Sequence, residues 1–128
     1  RLGPTRAESG AYVWQKLIQS GAIVANGTDV PVERIDPMAS FHATVTRKTK
    51  DGAVFYGDQK MTRAQALKSY TWNGAFAARE ESLKGSLAPG KLADITVLSK
   101  DIMTVAEDEI PSTQVVYTIV GGKVAYSR

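Results

Sequence analysis

Residues 22–32 read Ala-Ile-Val-Ala-Asn-Gly-Thr-Asp-Val-Pro-Val, and this stretch indicates the fold class. Its first four residues are apolar without polar alternation, which favours a strand over residues 22–26 that is buried on both faces, as in a parallel sheet. The chain then turns at Gly27, and Val30 is pushed towards an extended conformation because a proline follows it. The sequence therefore predicts that Asp29 lies at the C-terminal end of a buried parallel strand, where α/β barrels place catalytic groups.

The composition is that of an ordinary globular domain. The chain has 128 residues, of which 43% are hydrophobic and 23% are charged. It contains no cysteine, which excludes disulfides and thiolate metal sites. The net charge of +3 comes from 16 basic and 13 acidic residues spread along the chain, which argues against nucleic-acid binding through a basic patch. No apolar run is long enough to predict a transmembrane helix.

The chain starts at Arg1 and shows no signal-peptide pattern, so its beginning looks like the middle of something larger. A targeting segment upstream would be invisible, and the compartment stays open between cytoplasmic and periplasmic or secreted.

Two helices are predicted to flank the strand. Apolar residues at helical spacing predict the first over residues 8–20, with Gly21 as its C-terminal cap. Asp36 and Pro37 suit the N-cap and first position of the second, which we expect to end near Arg47. Four residues share one face of this second helix: Met38, Phe41, His42 and Val45. Helix, turn, strand and helix in this order are typical of a repeating α/β unit.

The next part of the chain is predicted to be a polar loop followed by more helix. Residues 48–60 are polar and contain a turn dipeptide. Thr62 and Gln65 match a capping box, which predicts a helix that continues through residues 71–80, with Gly74 as a break between two short helices. Three residues of this helix are expected to face inward: Ala66, Leu67 and Tyr70.

The pattern changes to strands after about residue 84. Strands are predicted over residues 95–98, 115–120 and 123–126, and the dipeptide Gly121-Gly122 predicts a tight hairpin between the last two. One parallel strand cannot form a sheet, and three further strands leave open edges. This pattern therefore implies structural partners that the chain does not contain.

Four segments then carry a family resemblance. Residues 85–98, Gly-Ser-Leu-Ala-Pro-Gly-Lys-Leu-Ala-Asp-Ile-Thr-Val-Leu, resemble the GS-x-x-x-GK-x-AD-x-x-V-L signature of the amidohydrolase superfamily. Residues 27–32 resemble its GSD-x-PV segment on the eighth barrel strand, with Thr28 where serine is usual. Residues 66–78 fit its A-L-x-x-Y-T-x-N-x-A helices, and residues 118–124 resemble its terminal hairpin. The chain is most similar to the amidohydrolase 3 branch, with the exoenzyme regulatory and N-substituted formamide deformylase proteins.

This resemblance implies a fold and a domain division. Residues 1–84 would form the last part of a (β/α)8 TIM-type barrel, which belongs to a metal-dependent hydrolase. Residues 85–128 would supply strands of a small β-sandwich, the composite domain of the superfamily.

The resemblance also implies an activity. The parent protein would be a metal-dependent amidohydrolase that cleaves a non-peptide or cyclic amide C–N bond with metal-activated water. Asp29 would be a ligand of one or two divalent ions, commonly zinc, and the general acid/base. The family's histidine ligands and carboxylated lysine have no counterpart here, so this fragment alone should be inactive. Its partners would be a small-molecule amide and the remainder of the parent polypeptide, and a homo-oligomer is an open alternative.

The same residues also have structural interpretations that involve no catalysis. Judged by local sequence alone, Asp29 would be an Asx-turn residue, because Asp is common in turns. His42 is interpreted as a packed, hydrogen-bonded core or interface histidine. Arg47 could pair with a carboxylate near the barrel mouth, but it is interpreted mainly as a solvated residue at the C-terminal end of a helix. The whole chain could also belong to a non-catalytic scaffold or binding protein, which loss of the upstream histidines in the parent would indicate.

Overall fold

The computed structural model describes residues 2–128. In chain order these residues form α1 (Pro4–Gly10), α2 (Trp14–Gln19), α3 (Pro37–Thr46), α4 (Arg63–Tyr70), α5 (Trp72–Ala77), β1 (Ile95–Leu98), β2 (Val115–Val120) and β3 (Lys123–Ser127). Short 3₁₀ helices, Gly57–Gln59 and Glu107–Ser112, lie in the connections before α4 and before β2.

The three predicted strands are confirmed as one antiparallel sheet in the order β1-β2-β3. Ile95 pairs with Ile119, and Tyr117 pairs with Ser127. The hairpin between β2 and β3 turns at Gly121-Gly122, with φ values of 55° and 78°. Positive φ at both central residues is the type I′ geometry, whose twist matches that of the flanking strands. Glycine favours this turn because residues with a Cβ atom rarely adopt positive φ.

The prediction of a buried strand over residues 22–26 is wrong. This segment is irregular and largely exposed. Two hydrogen bonds tie its backbone to α4 and α5, from the Asn26 N–H to the Ser69 carbonyl (3.0 Å) and from Asn73 Nδ2 to the Val24 carbonyl (2.8 Å). A strand needs a ladder of backbone hydrogen bonds to a neighbouring strand. Within residues 2–128 no strand pairs with this segment, so apolar sequence alone does not make it a strand.

The helix predicted over residues 8–20 is two helices. The chain breaks between α1 and α2 where Tyr12 adopts a left-handed φ of 54°. The predicted C-terminal capping glycine is confirmed, because Gly21 has a φ of 89° and follows Ser20, the C-cap residue of α2. The Ala22 N–H donates to the Leu17 carbonyl (3.1 Å), which is the closing bond of a Schellman motif.

The prediction for α3 is confirmed at both ends. The Asp36 carboxylate accepts a hydrogen bond from the Met38 N–H (2.9 Å), as an N-cap does. The helix ends before Arg47, which has a left-handed φ of 61°.

The α4 capping box is confirmed, since Thr62 and Gln65 exchange side-chain to backbone hydrogen bonds. The break between α4 and α5 falls at Thr71, with φ −122° and ψ −93°, whereas Gly74 lies inside α5. Leu67, predicted to face inward, is 39% exposed.

The buried core lies between α3, α4 and the connection from β1 to β2. Its buried members are Met38, Phe41, Val45, Met61, Ala66, Ile102 and Ile110. Several large apolar side chains stay outside it, among them Val32 (80% exposed), Ile35 (78%) and Leu87 (75%). Within residues 2–128, no helix is both long enough and apolar enough to cross a bilayer.

Candidate functional site

An open groove of about 1040 Å³ lies beside the turn that carries Asp29. Its walls come from this turn, from α3 and from the loop after α3, together with the rings of Tyr12 and Trp14. The ionisable side chains along it are Asp29, Glu33, His42, Lys48, Lys50 and Asp51. The groove thus combines aromatic surface with charged groups of both signs.

Asp29 is exposed, in a tight turn with a φ of 50°. The Val32 N–H donates to the Asp29 carbonyl (2.8 Å), and the Glu33 N–H donates to the Thr28 carbonyl (3.2 Å). The Val30–Pro31 peptide bond within this turn is cis. The Asp29 carboxylate itself accepts no hydrogen bond from any residue in the range 2–128, so the Asx-turn interpretation does not describe it. Both of its oxygens stay available to a ligand.

Asn26 connects this turn to the helices behind it. Its Nδ2 donates to Thr44 Oγ1 (2.9 Å) and its Oδ1 accepts from the Gly27 N–H (2.9 Å). Its backbone N–H donates to the Ser69 carbonyl (3.0 Å). Asn26 therefore fixes the start of the turn against both α3 and α4.

His42 lies in the wall of the same groove, half-buried on α3. Its ring makes no hydrogen bond to the part of the chain that the structure describes, so the prediction of a hydrogen-bonded core histidine is wrong, whereas the alternative of an interface histidine stays a prediction. Burial lowers the pKa of His42 below its ordinary value and Lys48 lowers this pKa further, while Glu107 and Asp108 oppose the shift. Three small residues of α3 line the groove beside it: Ala39, Ser40 and Ala43. Their small size is the sequence signal that could have predicted an open face on this helix.

Arg47 is buried, at 5% exposure, so its interpretation as a solvated helix-end residue is wrong. Its Nε donates to the Phe55 carbonyl (2.7 Å) and its Nη1 donates to the Tyr12 carbonyl (2.9 Å). Its guanidinium lies 4.5 Å from the Trp14 ring centroid and 5.2 Å from that of Phe55. Burial lowers the pKa of Arg47, with Asp58 opposing the shift. Arg47 thereby holds the aromatic wall of the groove in place.

The described residues do not form a metal centre by themselves. Residues 2–128 contain no group of three or more His, Cys, Asp or Glu side chains arranged to hold an ion. Asp51, which also lines the groove, already accepts hydrogen bonds from Thr49 and from the Ala53 N–H. Asp29 is thus a free carboxylate that supplies at most one ligand.

Comparison with known proteins places these features in a family. The family model described as "Amidohydrolase family" matches residues 1–126. The YtcJ protein of Bacillus subtilis (strain 168) is 30% identical over 131 residues, which are 100% of this chain and 25% of that protein. Its name contains the word amidohydrolase and gives no substrate. N-substituted formamide deformylase of Arthrobacter pascens is 32% identical over 114 residues, 89% of this chain and 21% of that protein.

A solved structure agrees. The crystal structure of an amidohydrolase from Thermotoga maritima MSB8 superposes with a TM-score of 0.69 at 26% identity, over 91% of this chain and 26% of that one. The chain thus spans about a quarter of the length of each of these proteins. A family match over nearly every residue, supported by sequence relatives and by a similar fold, leads to one conclusion: this chain belongs to the amidohydrolase family.

Proposed function

We propose that this chain is part of a metal-dependent hydrolase that cleaves the C–N bond of a non-peptide or cyclic amide. The observation that carries the proposal is the exposed Asp29 carboxylate, which accepts no hydrogen bond from residues 2–128 and lies on the edge of a groove. Family membership supports it, and so does the name of the Arthrobacter pascens relative, which describes removal of formyl groups from N-substituted formamides.

Asp29 would act as the proton carrier of the reaction. In amide hydrolysis the oxygen of water adds to the carbonyl carbon, the C–N bond breaks, and the leaving nitrogen gains a proton. A carboxylate beside the reacting groups accepts the proton of the attacking water and then donates it to that nitrogen. The exposed position of Asp29 leaves both steps sterically open, because its oxygens are committed to no other partner among the described residues.

Asp29 would also be the one metal ligand that this chain contributes. The other ligands would come from the remainder of the parent polypeptide, since the described residues alone hold no ligand cluster. One or two divalent ions, zinc being the candidate, would supply activation of water at neutral pH. Without those other ligands the chain alone should be inactive.

The division into two parts belongs to the same proposal. Residues 1–84 would pack as the end of a (β/α)8 barrel, and residues 85–128 would add β1, β2 and β3 to a β-sandwich. The exposed apolar side chains on both parts support this, because surfaces of that kind are normally covered by a partner.

The test is the Asp29→Asn substitution in the full-length protein. This change keeps the side-chain shape and removes the negative charge. Against a panel of N-formyl, acyclic and cyclic amides, we expect hydrolysis to fall at least about a thousand-fold, the size of effect that general acid–base groups reach. Circular dichroism should show an unchanged fold.

Glu8→Gln is the matched control, because Glu8 is an exposed carboxylate on α1 outside the groove. Near-normal turnover by a folded Asp29→Asn variant would rule out the catalytic role. A well-folded parent that binds no metal and hydrolyses no amide would instead favour the non-catalytic scaffold.

A further inference from the structure

The turn that carries Asp29 has a single hydrogen-bonded anchor at its start. Residues 27–35 make no hydrogen bond to any described residue outside residues 26–33; their two backbone bonds, from the Val32 and Glu33 N–H groups, close the turn on itself. Asn26 is the last residue before Asp29 that is tied to the helices. The position of the Asp29 carboxylate therefore depends on Asn26.

The amide of Asn26 can have only one orientation. The Gly27 N–H donates to Asn26 Oδ1 (2.9 Å), which requires an acceptor at that atom. The Thr44 hydroxyl already donates to the Ser40 carbonyl (2.8 Å), so towards Asn26 it can only accept, and Nδ2 meets it at 2.9 Å. In the flipped orientation, Nδ2 would face the Gly27 N–H, which is also a donor, and Oδ1 would face Thr44 Oγ1, which is acting as an acceptor. Both hydrogen bonds would be lost.

The two helix residues that Asn26 bonds are shielded from solvent. Thr44 on α3 and Ser69 on α4 are each 1% exposed. Removal of the Asn26 side chain breaks its bond to Thr44, and water cannot readily reach the buried Thr44 hydroxyl to replace it, whereas the backbone bond to the Ser69 carbonyl remains. The anchor joins two helices to the one turn that carries the free carboxylate.

We propose that Asn26 is the positioning residue for Asp29, which acts through the Asn26–Thr44 hydrogen bond. The inference rests on the proposed function, because positioning has a kinetic consequence only where Asp29 is catalytic. A displacement of about 1 Å at a reacting group can lower a rate about a hundred-fold. Loss of the anchor should therefore lower kcat and leave substrate binding by the rest of the groove intact.

The experiment uses the full-length protein with four variants: Asn26→Ala, Thr44→Val, Thr44→Ser and the double variant Asn26→Ala/Thr44→Val. Thr44→Val removes the hydroxyl at nearly constant shape and leaves Asn26 itself intact. Thr44→Ser keeps the hydroxyl and is the matched control. We expect kcat to fall about ten- to hundred-fold in both single variants, with KM nearly unchanged and with Thr44→Ser close to the wild type.

The double variant should be no slower than the slower single variant, because both changes remove the same hydrogen bond. A second readout is independent of turnover. Amide hydrogen exchange of the peptide containing Gly27, Thr28 and Asp29 should become faster in Asn26→Ala and Thr44→Val and stay unchanged in Thr44→Ser.

The outcomes separate this inference from the proposed function. If Asp29→Asn abolishes hydrolysis while Thr44→Val keeps a normal kcat, the positioning role is wrong and the catalytic role of Asp29 stands. If Asp29→Asn is fully active, the proposed function fails, and unchanged exchange at the turn would then overturn the anchor as well. If Asn26→Ala does not fold, the Thr44→Val and Thr44→Ser pair still decides.

Discussion

At the scale of single residues, the free carboxylate of Asp29 could be singled out from the sequence, but its surroundings could not. The resemblance of residues 27–32 to a family segment identified Asp29. Asn26 and Thr44 are 18 positions apart in the chain, and Arg47 bonds a carbonyl 35 positions away. Such contacts depend on how α3 packs, and no local pattern encodes them.

Arg47 illustrates how a charged residue at a helix end can be structural. Its left-handed backbone turns its side chain back across the Trp14 ring, and two carbonyls receive its N–H groups. One further nitrogen, Nη2, is buried without a partner among the described residues, which adds a cost to this arrangement. Stacking on aromatic rings offsets part of that cost.

We expect Arg47→Lys to lower the free energy of unfolding by about 2 to 3 kcal/mol, because a lysine ammonium cannot replace the planar fork between two carbonyls. Urea denaturation of the full-length protein measures this. Arg79→Lys is the control, since Arg79 is exposed and its side chain makes no hydrogen bond or ion pair to residues 2–128. Equal stability of the two variants would contradict the structural role of Arg47.

His42 should make stability depend on pH. Its pKa is lowered in the folded protein, chiefly by burial and then by Lys48, against the opposing charges of Glu107 and Asp108. The unfolded chain therefore binds a proton more readily, so stability falls as pH drops through about 6.5, the ordinary value for histidine. His42→Gln should weaken this dependence between about pH 7.5 and 5.5. Parallel unfolding curves for both proteins over that range would show that His42 does not contribute.

At the scale of elements, the features set by local chemistry were predictable. The Asp36 cap, the capping box of α4, the Gly121-Gly122 hairpin and the three strands all follow from short-range rules. In the junction before β1, Lys91 Nζ donates to the Glu81 carbonyl (2.5 Å), and this bond ties the junction to the end of the helical part. The prediction of a strand over residues 22–26 failed because a strand needs a neighbouring strand to form its hydrogen-bond ladder.

Gly85 is the first residue of the family signature over residues 85–98, and its surroundings leave no room for a side chain. Its φ is 86°, and a Cβ atom there would lie 2.7 Å from the Ala75 Cβ and 3.0 Å from the Trp72 Cα. We expect Gly85→Ala to destabilise the protein by about 2 to 4 kcal/mol, from strained backbone plus overpacking against α5. The change in the thermal midpoint Tm reports it.

Gly90 is the matched control for this prediction. Its φ is 87°, and a Cβ atom there would meet nothing within 4 Å. Gly90→Ala should therefore cost only the backbone strain, about 1 kcal/mol. If both alanine variants lost the same stability, contact with α5 would not be the reason for glycine at position 85.

At the scale of the whole molecule, the described chain leaves much apolar surface in contact with solvent. Val32, Ile35 and Leu87 are each at least three-quarters exposed. β3 is exposed along its whole length at the edge of the sheet. Exposed apolar side chains and an open strand edge both favour association with other protein surfaces.

Residues 1–128 expressed alone should therefore be marginally stable or aggregate. We expect a free energy of unfolding below roughly 5 kcal/mol, the lower end of the range for native domains. Much of the apolar surface remains in water when this chain folds, so its burial does not contribute to stability. Differential scanning calorimetry with light scattering measures both properties. A sharp, reversible and monomeric transition would show that these surfaces need no partner.

The measurement that tests the central claim most directly is the metal content of the full-length protein, determined by mass spectrometry beside its Asp29→Ala variant. The account predicts a divalent metal, such as zinc, at one or two ions per chain in the parent and a clearly reduced content in the variant. A well-folded parent without metal, or equal metal in both proteins, would contradict the assignment of Asp29 as a ligand.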